Sequence, residues 1–147
     1  MEKEKPSVAV SVFVIREGKI LLGKRKGKVG DGFWGLPGGK LELYESLVSC
    51  AKRELEEETG LVANKMTFLH VINDTRLKED RSHWVHFEFL AENFTGEPEL
   101  KEPEKCYEWK WFEIKKLPEN IFIGHRRSIP TLLNKVIVVD DGEAIFP

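Results

Sequence analysis

The sequence predicts an α/β protein in which a mixed sheet lies between helices. Three features carry this expectation. β-branched runs stand on both sides of one long helical pattern, glycines punctuate both ends of that pattern, and a second helical pattern comes late in the chain. With 147 residues, 41% of them hydrophobic and 33% charged, residues 1–147 are expected to form a single domain.

Val8 to Ile15 is apolar and β-branched at nearly every position, which suits a strand buried on both faces. Glu17-Gly18 is a turn signal, and Ile20-Leu21-Leu22 starts a second strand. The basic run from Gly23 to Lys28 has two readings of equal weight. It is a solvated strand end, or it meets phosphates, since it lies shortly before a glycine pair. Gly30 to Gly35 reads as a loop, and Leu36-Pro37 leads into Gly38-Gly39, read as a turn through positive φ. From there to Gly60 no Pro or Gly interrupts, so one helix is expected. Gly60 is its left-handed terminal residue, and Leu61 supplies the hydrophobic contact that accompanies such caps.

Beyond the helix, Met66 to Ile72 reads as a strand and Asn73 to Arg81 as a polar connection. Trp84 to Leu90 alternates as a strand with one aromatic face. His83 and His86 lack partners in the sequence and read as structural or solvent-facing. Glu92 to Glu108 is acidic, contains Pro98 and Pro103, and reads as a long loop. Trp109 to Phe112 is a short strand closed by Leu117-Pro118. Arg126 to Val136 reads as a second helix with Ile129, Leu132, Leu133 and Val136 on its apolar side.

The first helix holds the chemistry. At about 100° per residue, Leu47, Val48, Ala51 and Leu55 fall on one side, which is expected to face the core. Glu54, Glu57 and Glu58 are spaced i, i+3, i+4, so their carboxylates gather beside that stripe. Glu54 and Glu58 lie nearest the core edge, while Lys52 and Glu56 point away. Massed carboxylates repel one another, and a hard divalent cation relieves that repulsion; Mg²⁺ takes such oxygen ligands and keeps room for phosphates. A solvated acidic helix is the plainer reading. Against it stand the position of the carboxylates beside the buried stripe, the preceding glycines, and Arg53, which can pair with Glu57 one turn on.

Composition limits the classes. A net charge of −2 argues against a nucleic-acid polymer as partner. Cys50 and Cys106 are far apart and read as buried or incidental thiols of a reducing compartment. The charged start, Met1 to Pro6, has no apolar stretch behind it, and no run is long enough to span a membrane. A cytoplasmic protein is expected.

Gly39, five residues, Glu45, seven residues, then Arg53-Glu54-Leu55-x-Glu57-Glu58-x-Gly60-Leu61 resembles the Nudix box at every fixed position. The chain is therefore identified as resembling the MutT-like Nudix hydrolases, which implies an α/β/α sandwich. Tyr44 departs from the pattern, since relatives usually carry Gly there. Leu21 to Gly27, Leu36-Pro37-Gly38-Gly39, Glu102 to Cys106 and Trp109-Lys110-Trp111 extend the likeness over roughly residues 8 to 120. They are similar to a subgroup of plant and animal nucleoside-triphosphate pyrophosphatases linked to oxidised guanine nucleotides.

The resemblance implies hydrolysis of a nucleoside triphosphate to the monophosphate and pyrophosphate, with Mg²⁺ as cofactor and Mn²⁺ able to substitute. It implies Glu54, Glu57 and Glu58 as metal ligands, joined by Glu104 from the later loop, with Glu102 next in line. Glu54 is the candidate base. Arg53 and Glu45 support catalysis, Glu45 by fixing the loop or Arg53. Gly38, Gly39, Arg25 and Trp109 are the expected substrate contacts, with Trp109 lining the base pocket and Trp111 on the opposite side of the strand, in the core. Other organic diphosphates, a prenyl diphosphate or a nucleotide sugar, are the alternative substrates, and a non-catalytic nucleotide-binding module is the alternative class. Subgroup members pair, so a homodimer is an expectation by resemblance.

Overall fold

The computed structural model describes residues 4–75, 78–79, 81–126, 128–133, 138–140 and 143–145. Its strands are β1 (Ser7–Phe13), β2 (Ile15–Arg16), β3 (Lys19–Arg25), β4 (Trp34–Gly35), β5 (Gly38–Lys40), β6 (Ala63–Asp74), β7 (Trp84–Phe94), β8 (Cys106–Glu113), β9 (Val138–Asp140) and β10 (Glu143–Ile145). Helix α1 covers Leu47–Thr59, α2 covers Ile123–Arg126, and a 3₁₀ turn covers Ile129–Leu133. The architecture is α/β with a mixed sheet, as expected, but the strands divide into two sheets. The larger runs β10-β9-β6-β7-β1-β5, with β1 parallel to β7 and antiparallel to β5. In the smaller, β3 is central, pairing antiparallel with β2, β4 and β8.

Burial on both faces of β1 and β3 explains their apolar runs. Val10, Val12 and Leu21 join Ala51, Leu55 and Leu61 in the core beneath α1. Phe13, Ile20 and Leu22 face the other way, into a second cluster with Trp34, Leu36, Ile121 and Ile129. The Glu17-Gly18 hairpin has positive φ at both residues, as its tight turn requires.

Several expectations are corrected. Gly38-Gly39 is not a positive-φ turn; it is part of β5, paired through Val10↔Gly39 and Ser11↔Gly38. Glycine is needed there for clearance: a Cβ on Gly38 would overlap the Val10 carbonyl oxygen, and one on Gly39 the Glu54 carboxyl. Helix α1 begins later than the glycines, at Leu47, because Tyr44 takes a left-handed φ of 65° that no helix accommodates. Ser46 then caps the helix, its Oγ accepting from the Ser49 N–H at 3.1 Å. Gly60 ends it with φ 75°, donating to Glu56 O, and Leu61 is buried beside it. Val48 is 42% exposed, and Cys50 takes its place in the core. Trp34–Gly35, expected in a loop, pairs with β3. The late helix is not continuous. Pro130 lacks an N–H, and its ring opposes a carbonyl four residues back, so α2 stops at Arg126 and a 3₁₀ turn follows; Val136 lies outside the described residues.

Candidate active site

Packing of α1 directly against β5 sets the site. Arg53 is its hub. Its Nε and Nη2 donate to Glu45 Oε1 and Oε2 at 2.6 and 3.0 Å, a two-pronged pairing. Its Nη1 donates to Glu54 Oε1 at 2.8 Å and Glu57 Oε2 at 3.1 Å, and Nη2 reaches the Lys40 carbonyl at 3.3 Å. Glu45 Oε2 also accepts from the Glu42 N–H at 3.1 Å. One carboxylate thus closes the loop before α1 and anchors the arginine. The Arg53 hydrogen bond holds the Glu45 carboxyl down at about 2. The same partner keeps Arg53 charged, its pKa raised above the ordinary guanidinium value.

The three helix carboxylates differ in depth. The Glu57 side chain is 51% exposed and that of Glu54 13%. Glu58 turns inward, its Oε2 accepting from the Gly38 N–H at 3.2 Å. Burial pushes the Glu58 carboxyl up to about 8; the Gly38 bond opposes this, and Glu54 and Glu102 add to it by repulsion. Burial also raises Glu54, against the pull of Arg53. The Glu54 carboxyl lies against Gly39, which has no side chain to displace it.

A small pocket of about 70 Å³ opens beside these groups, lined by Arg25, Gly38, Glu58, Glu102, Lys105 and Trp109 among others. A register shift between Gly23 and Arg25 interrupts the β3–β8 pairing at its rim. Arg25 is buried enough that its pKa falls, partly restored by Glu58. Lys105 Nζ lies 3.3 Å from Glu102 Oε2. Glu104 is exposed, and of the two loop carboxylates it is Glu102 that lines this pocket. Trp109 donates from Nε1 to the Glu58 carbonyl at 3.2 Å, and its ring covers Gly23, where a Cβ would collide with it. Trp111 does not face the opposite side. A strand repeats every two residues, so both tryptophans lie on one face, and both pack against the core beneath α1.

A second cavity of about 300 Å³ shares Arg25 with the first. Its walls include Ser11, Asp74, Trp84, His86, Phe122 and His125. Arg25 lies over the Phe122 ring, 3.9 Å from its centroid. No sequence motif marks this cavity. Its residues come from β1, β3, β5, β6, β7, α2 and the loops beside them, and the strand order brings them together.

Glu45, Arg53, Glu54, Glu57, Glu58, Gly38, Gly39, Arg25 and Trp109 are thereby linked around one place. The chemistry open to such a site is that of an anionic substrate: cationic Arg25 and Lys105 at its mouth, and oxygen donors along the helix edge.

Comparison with known proteins agrees. The NUDIX domain family model matches residues 5–132. An ADP-ribose pyrophosphatase from Methanocaldococcus jannaschii is 33% identical over 84% of this chain and 71% of its own length. An oxidized purine nucleoside triphosphate hydrolase from Danio rerio is 35% identical over 73% of this chain and 66% of its own. The crystal structure of a MutT NUDIX hydrolase from Burkholderia pseudomallei shares 35% identity and a TM-score of 0.82, covering 86% of this chain and 98% of that one.

Proposed function

The chain belongs to the Nudix family, and from that premise we propose that it hydrolyses a phosphoanhydride bond of a nucleoside triphosphate, modified bases included, with a divalent cation, Mg²⁺ or Mn²⁺, as cofactor. The observation that carries this reading is the pairing of Glu54 and Glu58 against the glycine strand β5, opposite Arg25.

The donor set suits such an ion. It offers only carboxylate oxygens, the preference of hard cations, and Glu58, lifted to about 8 by burial and by its acidic neighbours, gains from a positive charge nearby. Among the described residues no three acidic, histidine or cysteine side chains converge as they stand; Arg53 engages Glu54 and Glu57, and the Gly38 N–H engages Glu58. Glu54, Glu57 and Glu58 would hold the cation, with Glu102 across the pocket. When bound, the cation neutralises phosphate oxygens and makes water a better nucleophile.

The chain's own groups do the rest. Arg25 and Lys105 meet phosphate oxygens. Glu54, its carboxyl raised by burial, takes a proton from the attacking water. Glu45 orients Arg53, which orients Glu54. Trp109 and Leu36 wall the pocket from solvent. The larger cavity accommodates the organic group. Trp84 and Phe122 contribute aromatic walls, while Ser11, Asp74, His86 and His125 give it a polar lining, which favours a nucleoside over a prenyl chain. Both cysteines are free, in keeping with a cytoplasmic setting.

A panel tests this: canonical and oxidised nucleoside triphosphates, ADP-ribose and geranyl diphosphate, each with and without Mg²⁺. The expected outcome is cation-dependent release of pyrophosphate and monophosphate from a triphosphate. Inorganic phosphate as first product, or turnover of geranyl diphosphate alone, would overturn it.

A further inference from the structure

His125 is a buried histidine, 4% exposed, at the wall of the larger cavity. Its Nδ1 accepts from the Leu36 N–H at 3.1 Å. A peptide N–H can only donate, so Nδ1 carries no proton and the neutral ring carries it on Nε2. Nε2 lies 3.2 Å from Ser11 Oγ and donates to it. The Ser11 hydroxyl lies 3.4 Å from His86 Nδ1. One ring therefore ties the segment between β4 and β5 to β1 and, through Ser11, to β7. The fit is close: a Cβ on Gly35 would stand 3.0 Å from His125 Nδ1. Phe122, the ring under Arg25, packs edge-on to His125 with centroids 5.8 Å apart.

The two nitrogens serve different places. Nδ1 holds Leu36, two residues before Gly38, whose N–H binds Glu58. Nε2 holds Ser11, part of the cavity wall. We propose that His125 is a positioning residue joining the two: through Nδ1 it sets Gly38 against Glu58 and so supports kcat, and through Nε2 it sets the Ser11–His86 wall and so supports KM. The assignment of kcat and KM rests on the hydrolysis proposed above.

Two substitutions separate the nitrogens. The amide of asparagine reaches about as far as Nδ1, and that of glutamine about as far as Nε2. His125→Asn keeps an acceptor for Leu36 and loses Ser11; KM is expected to rise about tenfold with kcat within about threefold. His125→Gln keeps Ser11 and loses Leu36; kcat is expected to fall about tenfold with KM within about threefold. Ser11→Ala should follow His125→Asn, and it carries the kinetic test if the His125 variants do not fold. Equal effects on kcat and KM in both His125 variants, or a kcat loss without KM change in Ser11→Ala, would overturn the proposal. Amide exchange at Leu36 and Gly38, read by NMR, needs no substrate and so separates this proposal from the proposed hydrolysis. Protection of both amides in His125→Asn and its loss at both in His125→Gln is expected. Loss at Leu36 with Gly38 still protected would break the link, whatever the wild-type protein turns over.

Discussion

A methyl group is the smallest probe of how closely α1 rides on β5. On Gly39 it would meet the Glu54 carboxyl, the end of a side chain that can swing away; on Gly38 it would meet the Val10 carbonyl, which is backbone within a sheet. Gly39→Ala is therefore expected to displace Glu54 and lower kcat by about two orders of magnitude with a small change in melting temperature. Gly38→Ala is expected to cost ~1–3 kcal/mol of stability. Kinetics and thermal unfolding of the two variants check this, and equal loss of stability in both would contradict the packing. At this scale the sequence told which residue types mattered and not why. A glycine pair looks the same whether it serves a turn or a close approach. Glu102 and Glu104 stand in one aperiodic loop, and only the fold shows that Glu102 faces Glu58. The two tryptophans share a face because a strand's period is two, which assigning one to the pocket and the other to the opposite side contradicts.

Helix α1 was legible at its end and not at its start. Gly60 has the left-handed φ of 75° that glycine accepts freely. The start is set by Ser46 and by Tyr44, which adopts a φ of 65° despite its Cβ. Tyr44 is 97% exposed, so its side chain offsets little of that backbone cost. Tyr44→Gly is expected to stabilise the protein by about 1 kcal/mol, raising the melting temperature by roughly 2–6 °C for a chain of this size. A lower melting temperature would show that the loop is not strained there. The second helix was misread because apolar spacing alone outweighed Pro130. His125, the side chain that braces β1 against β5's approach, carried no signal; a lone histidine in a sequence shows no partners, and its partners Ser11 and Leu36 lie far off in the chain.

For the whole molecule, the sequence led to the family through one contiguous motif. The division into two sheets and the cavity between their strands depend on pairings such as Ser7↔Trp84, which no local pattern encodes. The charge balance of the folded protein is likewise a property of the assembly. The Glu58 carboxyl titrates at about 8 when folded, against 4.5 for an ordinary carboxyl, and burial raises that of Glu88 as well. Both bind their protons more tightly folded than unfolded. The stability they contribute is full below about pH 4.5 and is lost as pH rises, for Glu58 through about 8. Glu45, lowered to about 2, works in the other direction, and its contribution is lost only as pH falls below 4.5. A divalent cation that binds the ionised carboxylates of the folded state adds stability according to its affinity, and most where Glu58 would otherwise be an unpaired buried charge. The melting temperature from pH 5 to pH 8, with and without excess Mg²⁺, in the wild type, Glu58→Gln and Glu56→Gln, tests this most directly. Without cation the wild type is expected to lose stability toward pH 8, and Mg²⁺ to restore it more at pH 8 than at pH 5. Glu56→Gln, on the exposed face, should behave as wild type, and Glu58→Gln should lessen the loss toward pH 8, the part due to Glu88 remaining, and flatten the response to Mg²⁺. An Mg²⁺ shift of the same size in Glu58→Gln as in the wild type, or none in either, would contradict the assignment of the cation to this edge of α1.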